Sequence, residues 1–208
     1  VRAADFDLCL ITDRTQTLGR DLLWVLERAL AGGVQAIQLR EKDLGSRDLF
    51  CLAEKTRRLC QDYHAALLVN DRIDVALAID ADGVQLGKTS VPLKTARELL
   101  GPDKLLGAST HSLDESQRAE ECGADFVLFG PVYFTPSKAA YGAPQGTAAL
   151  KEIVEKIPLP VYAIGGIALD NLRDAKSTGI RGVALISAVM SAQDPMDATI
   201  KLLSNLRG

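Results

Sequence analysis

Short β-branched or apolar runs alternate with helical patterns along the whole 208-residue chain, and the alternation repeats eight times. No linker, low-complexity tract or composition break interrupts it. These two observations predict an α/β chain folded as a single (β/α)8 TIM barrel over residues 1–208. An open, doubly wound sheet is the competing architecture. That architecture usually carries an early Gly-x-Gly-x-x-Gly phosphate loop, which is absent here.

The first strand, 7–13, centres on Leu8-Cys-Leu-Ile11, and a helix follows from about Arg20 to an Ala-Gly step near Gly32. The second strand, 36–42, precedes a helix from Ser46, which is a candidate N-cap. The third, 66–71, leads to a helix from Arg72, and the fourth, 83–87, to one from Val91 that stops at a Leu-Gly step near Gly101. The fifth, 105–110, precedes a helix that Ser112 caps with Glu115 three residues on, and that helix stops near Gly123. After the sixth strand, 126–132, the connection from Tyr133 to Gly146 is long enough to be a lid, and a helix starts near Thr147. The seventh strand, 161–167, is followed by a helix from Leu169 to near Gly179. The eighth, 182–190, is followed by a helix from Asp194, capped ahead of Pro195. Glycine supplies the left-handed conformation that ends a helix.

With 47% hydrophobic and 25% charged residues the chain is long enough for one sizeable core. The formal charge of −3, with basic residues scattered among acids, argues against a general nucleic-acid or membrane-surface role. No run approaches the roughly 20 apolar residues of a membrane span, and the opening residues lack a signal-peptide core, so a cytoplasmic location is expected. Cys9, Cys51, Cys60 and Cys122 have no metal or disulfide spacing and read as buried free thiols. His64 and His111 are too few and too far apart for a zinc motif.

In a closed barrel the active site lies at the C-terminal ends of the strands. The most informative such end is Gln38-Leu-Arg-Glu-Lys-Asp43. If the strand runs through it, Gln38, Arg40 and Lys42 share one face. Arg40 offers a planar fork and Lys42 a point charge, which together suit a phosphorylated ligand. Asn70 and Asp71, Lys88 and Ser90, Ser109 with Thr110 and His111, Gly165 and Gly166, and Ile186 and Ser187 are expected at the same mouth.

The motifs Gln38-x-Arg40-x-Lys42, Val69-Asn-Asp71, Ala81-Asp-Gly-Val-Gln-Leu-Gly87, Gly107-Ala-Ser-Thr-His-Ser112, Gly130-Pro-Val-Tyr-Phe-Thr-Pro-Ser-Lys138, Ala163-Ile-Gly-Gly-Ile167 and Ile186-Ser187 occur in an order that resembles the thiamine phosphate synthases. The superfamily also holds the thiazole tautomerases. The resemblance implies coupling of 4-amino-2-methyl-5-hydroxymethylpyrimidine diphosphate to a thiazole phosphate, with pyrophosphate released. It implies that Arg40, Lys42, Asn70 and Lys138 hold the pyrophosphate, and that Gln38 and Ser109 lie near the pyrimidine. Asp71 is the implied Mg2+ ligand. Thr135, Ser137, Gly166, Ile186 and Ser187 are implied to bind the thiazole phosphate. A homodimer is also implied.

One stretch departs from the family pattern. Where a second magnesium carboxylate is expected, the chain has Lys88-Thr89-Ser90. Weaker Mg2+ binding follows, with Lys88 available to neutralise pyrophosphate directly. The departure favours the alternative of a thiazole tautomerase using His111 as acid/base. The cation set around Arg40 and Lys42 favours the synthase. A third alternative is a thiazole- or thiamine-phosphate binding protein without turnover. Elsewhere, Trp24 is expected to pack its helix on the barrel, His64 to be solvated or to interact with its helix end, and Asp82 to cap a turn at the far end. Glu41 and Asp43 read either as partners of the site or as solvated acids.

Overall fold

The computed structural model describes residues 4–135 and 143–208. Eight parallel strands, β1 Leu8–Ile11, β2 Ala36–Leu39, β3 Ala66–Asn70, β4 Gly83–Leu86, β5 Leu105–Thr110, β6 Phe126–Phe129, β7 Val161–Ile164 and β8 Gly182–Leu185, each pair with the next. β8 then pairs with β1, with Cys9 opposite Ala184, and closes the barrel. The helices are α1 Leu22–Ala31, α2 Ser46–Asp62, α3 Ile73–Ala78, α4 Leu93–Leu100, α5 Leu113–Glu121, α6 Gly146–Lys156, α7 Leu172–Lys176, α8 Ser187–Met190 and α9 Pro195–Arg207.

Alternation along each strand makes two cores. Leu8, Leu10, Ile37, Leu39, Leu67, Val69 and their equivalents face outward and bury the apolar faces of the helices. Cys9, Ile11, Ala36, Leu68, Phe126, Leu128, Tyr162 and Ala184 fill the interior. The N-terminal end is plugged by aromatics, with Phe6 stacked on Tyr162 at 4.3 Å and Phe126 edge-on to both. Tyr162 donates its hydroxyl to the Ala4 carbonyl at 2.8 Å, so its buried polar atom is satisfied. Toward the other end the filling turns polar: Gln38 on β2 and Gln85 on β4 are 2% and 1% exposed.

Ion pairs close the N-terminal face. Asp7, just before β1, accepts from Arg181 at 2.8 Å and from Arg207 of α9 at 2.9 Å. Asp82 is buried, bonded by Arg57 of α2 at 2.8 Å and by the Leu67 amide of β3 at 2.7 Å, so it ties a helix to a strand at the far end rather than capping a turn as expected.

Most strands are shorter than expected, because the residues at their C-terminal ends, polar ones or glycines in most strands, leave the ladder to form the mouth. β2 stops at Leu39, so Arg40 and Lys42 stand on a loop and do not share a strand face with Gln38. β6 stops at Phe129 and β7 at Ile164, and the chain expected as the end of β8 turns instead into the four-residue α8. The N-cap of α2 is Gly45, whereas Ser46 accepts from Arg72. Gly33, rather than Gly32, takes positive φ after α1. Thr110 points away from the mouth, accepting from Ser116 of α5 at 2.9 Å. Trp24 faces outward, 43% exposed, with the Arg20 guanidinium 5.5 Å from its ring centroid. His64 is exposed, at the end of α2, as expected. Of the cysteines, Cys9 and Cys60 are buried, and burial pushes both thiols up to about 12; Cys51 is exposed and Cys122 half-buried.

Candidate active site

Two dissimilar halves meet at the C-terminal mouth. The β2–β5 half is a hydrogen-bonded polar network. Asp71, held at φ 61°, accepts from Asn70 Nδ2 at 2.7 Å on Oδ2 and from the Ser90 hydroxyl on Oδ1. Ser90 Oγ in turn accepts from the Gly87 amide at 2.8 Å. Because the carboxylate only accepts, Asn70 must turn its NH2 to Asp71 and its carbonyl to Gln38. Gln38 Nε2 meets that carbonyl at 3.0 Å, leaving Gln38 Oε1 buried without a partner among the described residues. The charge of Asp71 thus sets two side-chain amides in order. Lys42 Nζ lies 3.9 Å from Asp71 Oδ2.

Arg40 is set at the edge of this half by its backbone amide, which donates to the buried Thr12 hydroxyl at 2.9 Å. Burial opposes ionisation of Asp13, but hydrogen bonds from Thr15 and Gln16, with the nearby charge of Arg40, hold its carboxyl below the usual range. Glu41 and Asp43 prove to be partners of the loop. Arg14 grips Asp43 through two bonds of 2.7 and 2.6 Å and reaches buried Glu41 at 3.5 Å, tying the β1 loop to the β2 loop. That leaves the Arg40 and Lys42 side chains without a hydrogen bond to either acid.

On β5, Ser109 Oγ accepts from Gln85 Nε2 at 3.0 Å. His111 bonds Glu115 Oε2 through its backbone amide at 2.8 Å and its Nδ1 at 3.0 Å. A carboxylate at Nδ1 calls for a proton there and leaves Nε2 as the acceptor. Ser112 caps α5 by accepting from the Glu115 amide at 3.1 Å, so the cap and the orientation of His111 are one unit. Burial raises the Glu115 pKa, but the bonds from His111 and the charge of Lys88 outweigh it and hold the carboxyl below its usual range.

The β6–β8 half is built from backbone. A cavity of about 560 Å³ is lined by Gln16, Thr135, Gly165, Gly166, Ile186 and Ser187, among others. Gly166 has φ 67°, and a Cβ there would stand 2.5 Å from the Phe134 carbonyl oxygen, so only glycine fits. Asn171 braces this turn, donating to the Gly166 carbonyl and accepting from the Ala168 amide, each at 2.9 Å. Ser187 opens α8 at the cavity rim. Ser137 and Lys138, with half of the expected lid, lie outside the described residues.

The thiamine monophosphate synthase family model matches residues 8–189. The chain belongs to that family. It is 52% identical to a putative thiamine-phosphate synthase of Geobacter sulfurreducens, over 97% of this chain and 95% of that one. It is 45% identical to the thiamine-phosphate synthase of Desulfitobacterium hafniense, over 97% of each chain. The solved thiamine phosphate pyrophosphorylase from Pyrococcus furiosus superposes with a TM-score of 0.89 at 41% identity, covering 98% of this chain and 96% of that chain.

Among the described residues no group of three or more His, Cys, Asp or Glu side chains is placed to hold a metal ion. The donor set around Asp71 is one carboxylate and the Ser90 hydroxyl. It fits a magnesium ion that draws its remaining oxygens from a diphosphate and water, and it does not fit a metal caged by protein alone. Sequence reasoning missed Thr12, Gln85 and Asn171 as supports of the site. Thr12 and Gln85 sit inside or beside apolar strand runs, and Asn171 resembles an ordinary helix start.

Proposed function

We propose that this barrel is a thiamine-phosphate synthase, a transferase that joins hydroxymethylpyrimidine diphosphate to thiazole phosphate and releases pyrophosphate. The observation that carries the reading is the divided mouth: cations and an ordered polar network on one side, a glycine-lined cavity on the other. A reaction between a diphosphate and a monophosphate needs two anion sites facing one reacting centre. The cavity stands where barrels commonly hold phosphate, at the loops after strands seven and eight and the start of a short extra helix.

In this reading Arg40, Lys42, Asn70 and Lys138 take the departing pyrophosphate. Charge-assisted hydrogen bonds to the leaving group strengthen as its charge develops, which lowers the barrier rather than merely holding the ground state. Asp71 would hold magnesium, which when bound would help neutralise the leaving group. Gln38 and Ser109 orient the pyrimidine. Gly166, Ile186 and Ser187, with Thr135 and Ser137, hold the thiazole phosphate so that its ring nitrogen addresses the pyrimidine methylene. Catalysis in the cytoplasm and a homodimeric state belong to the same proposal.

The His111–Glu115 pair supports a second reading, tautomerisation of a carboxylated thiazole phosphate, since it presents Nε2 as a base. The Arg40/Lys42 side has no task in that reaction. A third reading, ligand binding without turnover, leaves the whole polar network without a task. Incubating the protein with the pyrimidine diphosphate and each thiazole phosphate tautomer, with and without Mg2+, separates all three. Thiamine phosphate and pyrophosphate in equal amounts support the synthase; isomerised thiazole without pyrophosphate, or no product at all, refutes it.

A further inference from the structure

Gln85 is a buried polar side chain facing the barrel interior, and nothing in the reaction scheme above uses it. It points inward from β4 at 1% exposure, with its Nε2 bonded to Ser109 Oγ at 3.0 Å and its Oε1 without a hydrogen-bond partner among the described residues. A glutamine this deep is destabilising unless its polar atoms serve something, because each unmet buried group costs roughly 1–3 kcal/mol. Its space is also specially made. A Cβ on Gly107 would lie 2.1 Å from Gln85 Oε1 and 2.3 Å from Phe126, so any larger residue on β5 would evict the amide.

We infer that Gln85 is a positioning residue that fixes the hydroxyl of Ser109 as a hydrogen-bond donor toward the mouth. A serine hydroxyl has one proton and two acceptor sites, and its proton rotates to suit its surroundings. The Nε2 donor of Gln85 occupies a lone pair from below. The Ser109 proton is therefore turned away from Gln85, toward whatever sits above. The orientation of the amide agrees with its surroundings, since its carbonyl faces the Cα–H of Gly107, a weak donor that an NH2 group would not complement. Gln38 supports Asn70 in the same manner from β2, but there the order is imposed by the charge of Asp71. Gln85 has no charge behind it, and the polarity of Ser109 depends on the amide alone. With one lone pair filled, the Ser109 proton is offered upward to an acceptor, such as a pyrimidine ring nitrogen or a diphosphate oxygen.

The inference rests on the placement of Ser109 beside the pyrimidine diphosphate, and the test separates the two. Coupling kinetics are measured for Gln85→Met, Ser109→Ala and the double variant, with thermal melting of each to check folding. The expected result is about a tenfold loss of kcat/KM for the pyrimidine diphosphate in Gln85→Met. The double variant is expected to be no worse than Ser109→Ala alone. Losses in the two single variants that simply add, or a Gln85→Met enzyme that melts normally and couples at the unsubstituted rate, overturn the inference. A Ser109→Ala enzyme with unchanged kinetics refutes the placement of Ser109 and the inference with it.

Discussion

Ser90 shows what a single side chain decides at this mouth. Its hydroxyl donates to Asp71 while accepting from the Gly87 amide, so it steadies a lone carboxylate without adding charge. Ser90→Asp would set two carboxylates face to face. In the absence of a divalent cation their repulsion costs on the order of 1 kcal/mol or more and lowers the melting temperature. With Mg2+ the second hard oxygen ligand strengthens the site, the melting temperature recovers, and less Mg2+ half-saturates coupling. Lys88 opposes this by pairing with the new carboxylate, so Lys88→Gln/Ser90→Asp should show the larger gain. A melting temperature indifferent to Mg2+ in both variants would show that Asp71 is not a magnesium ligand. The residue types here were legible from the sequence, because a carboxylate, an amide and cations at successive strand ends have few uses in a core. Gln85 and Thr12 were not, because a polar residue inside an apolar strand run looks like a break in pattern until the barrel shows which face it occupies.

Among elements, the strands were found in order and mostly with their starts, and β5 in full, but the C-terminal ends of the others were set too late. Gln38-Leu-Arg-Glu-Lys42 alternates well enough to continue as a strand, yet the ladder stops at Leu39, and Thr12 and Arg14 gather the following residues into a loop. Propensity has no information on where a neighbour's hydrogen bonds run out. The residues expected to end β8 become α8 for the same reason, and this moves Ser187 from a strand to a helix start beside the cavity. At the opposite face, Asp7 joins β1 to α9 and to Arg181 just before β8. Burial raises its pKa, but bonds from Arg181 and Arg207 and their charges outweigh this and hold it below 3.8. A depressed folded pKa means stability that is present above the unfolded value and lost as pH falls toward the folded one. Asp7→Asn should therefore cost about 1 kcal/mol near neutrality, discounted for the partial exposure of the arginines. The cost should shrink as pH drops below about 4. Urea unfolding at neutral and acidic pH reads the difference, and an equal loss at both would deny the pair its role.

On the scale of the whole molecule, closure makes the two halves of the mouth share one centre. β8 pairing with β1 places the glycine-lined cavity after β7 and β8 near the Arg40 loop after β2 around the ring, with only the β1 loop between them. The (β/α)8 architecture was legible because eight repeats of apolar strand and amphipathic helix leave little other choice. The division of labour across the mouth was legible only in part, since half of it is backbone: Gly165, Gly166 and the start of α8 carry few side-chain signals. The central claim is that the polar half serves the diphosphate and the backbone half the thiazole phosphate. Steady-state kinetics with each substrate varied in turn, on Arg40→Ala and Ser187→Ala, test it most directly. The account predicts that Arg40→Ala lowers kcat/KM for the pyrimidine diphosphate by about tenfold to a hundredfold while the KM for the thiazole phosphate holds. Ser187→Ala should do the reverse, raising the thiazole phosphate KM and leaving that of the diphosphate. If each variant moves both KM values together, the mouth is not divided and the account is wrong.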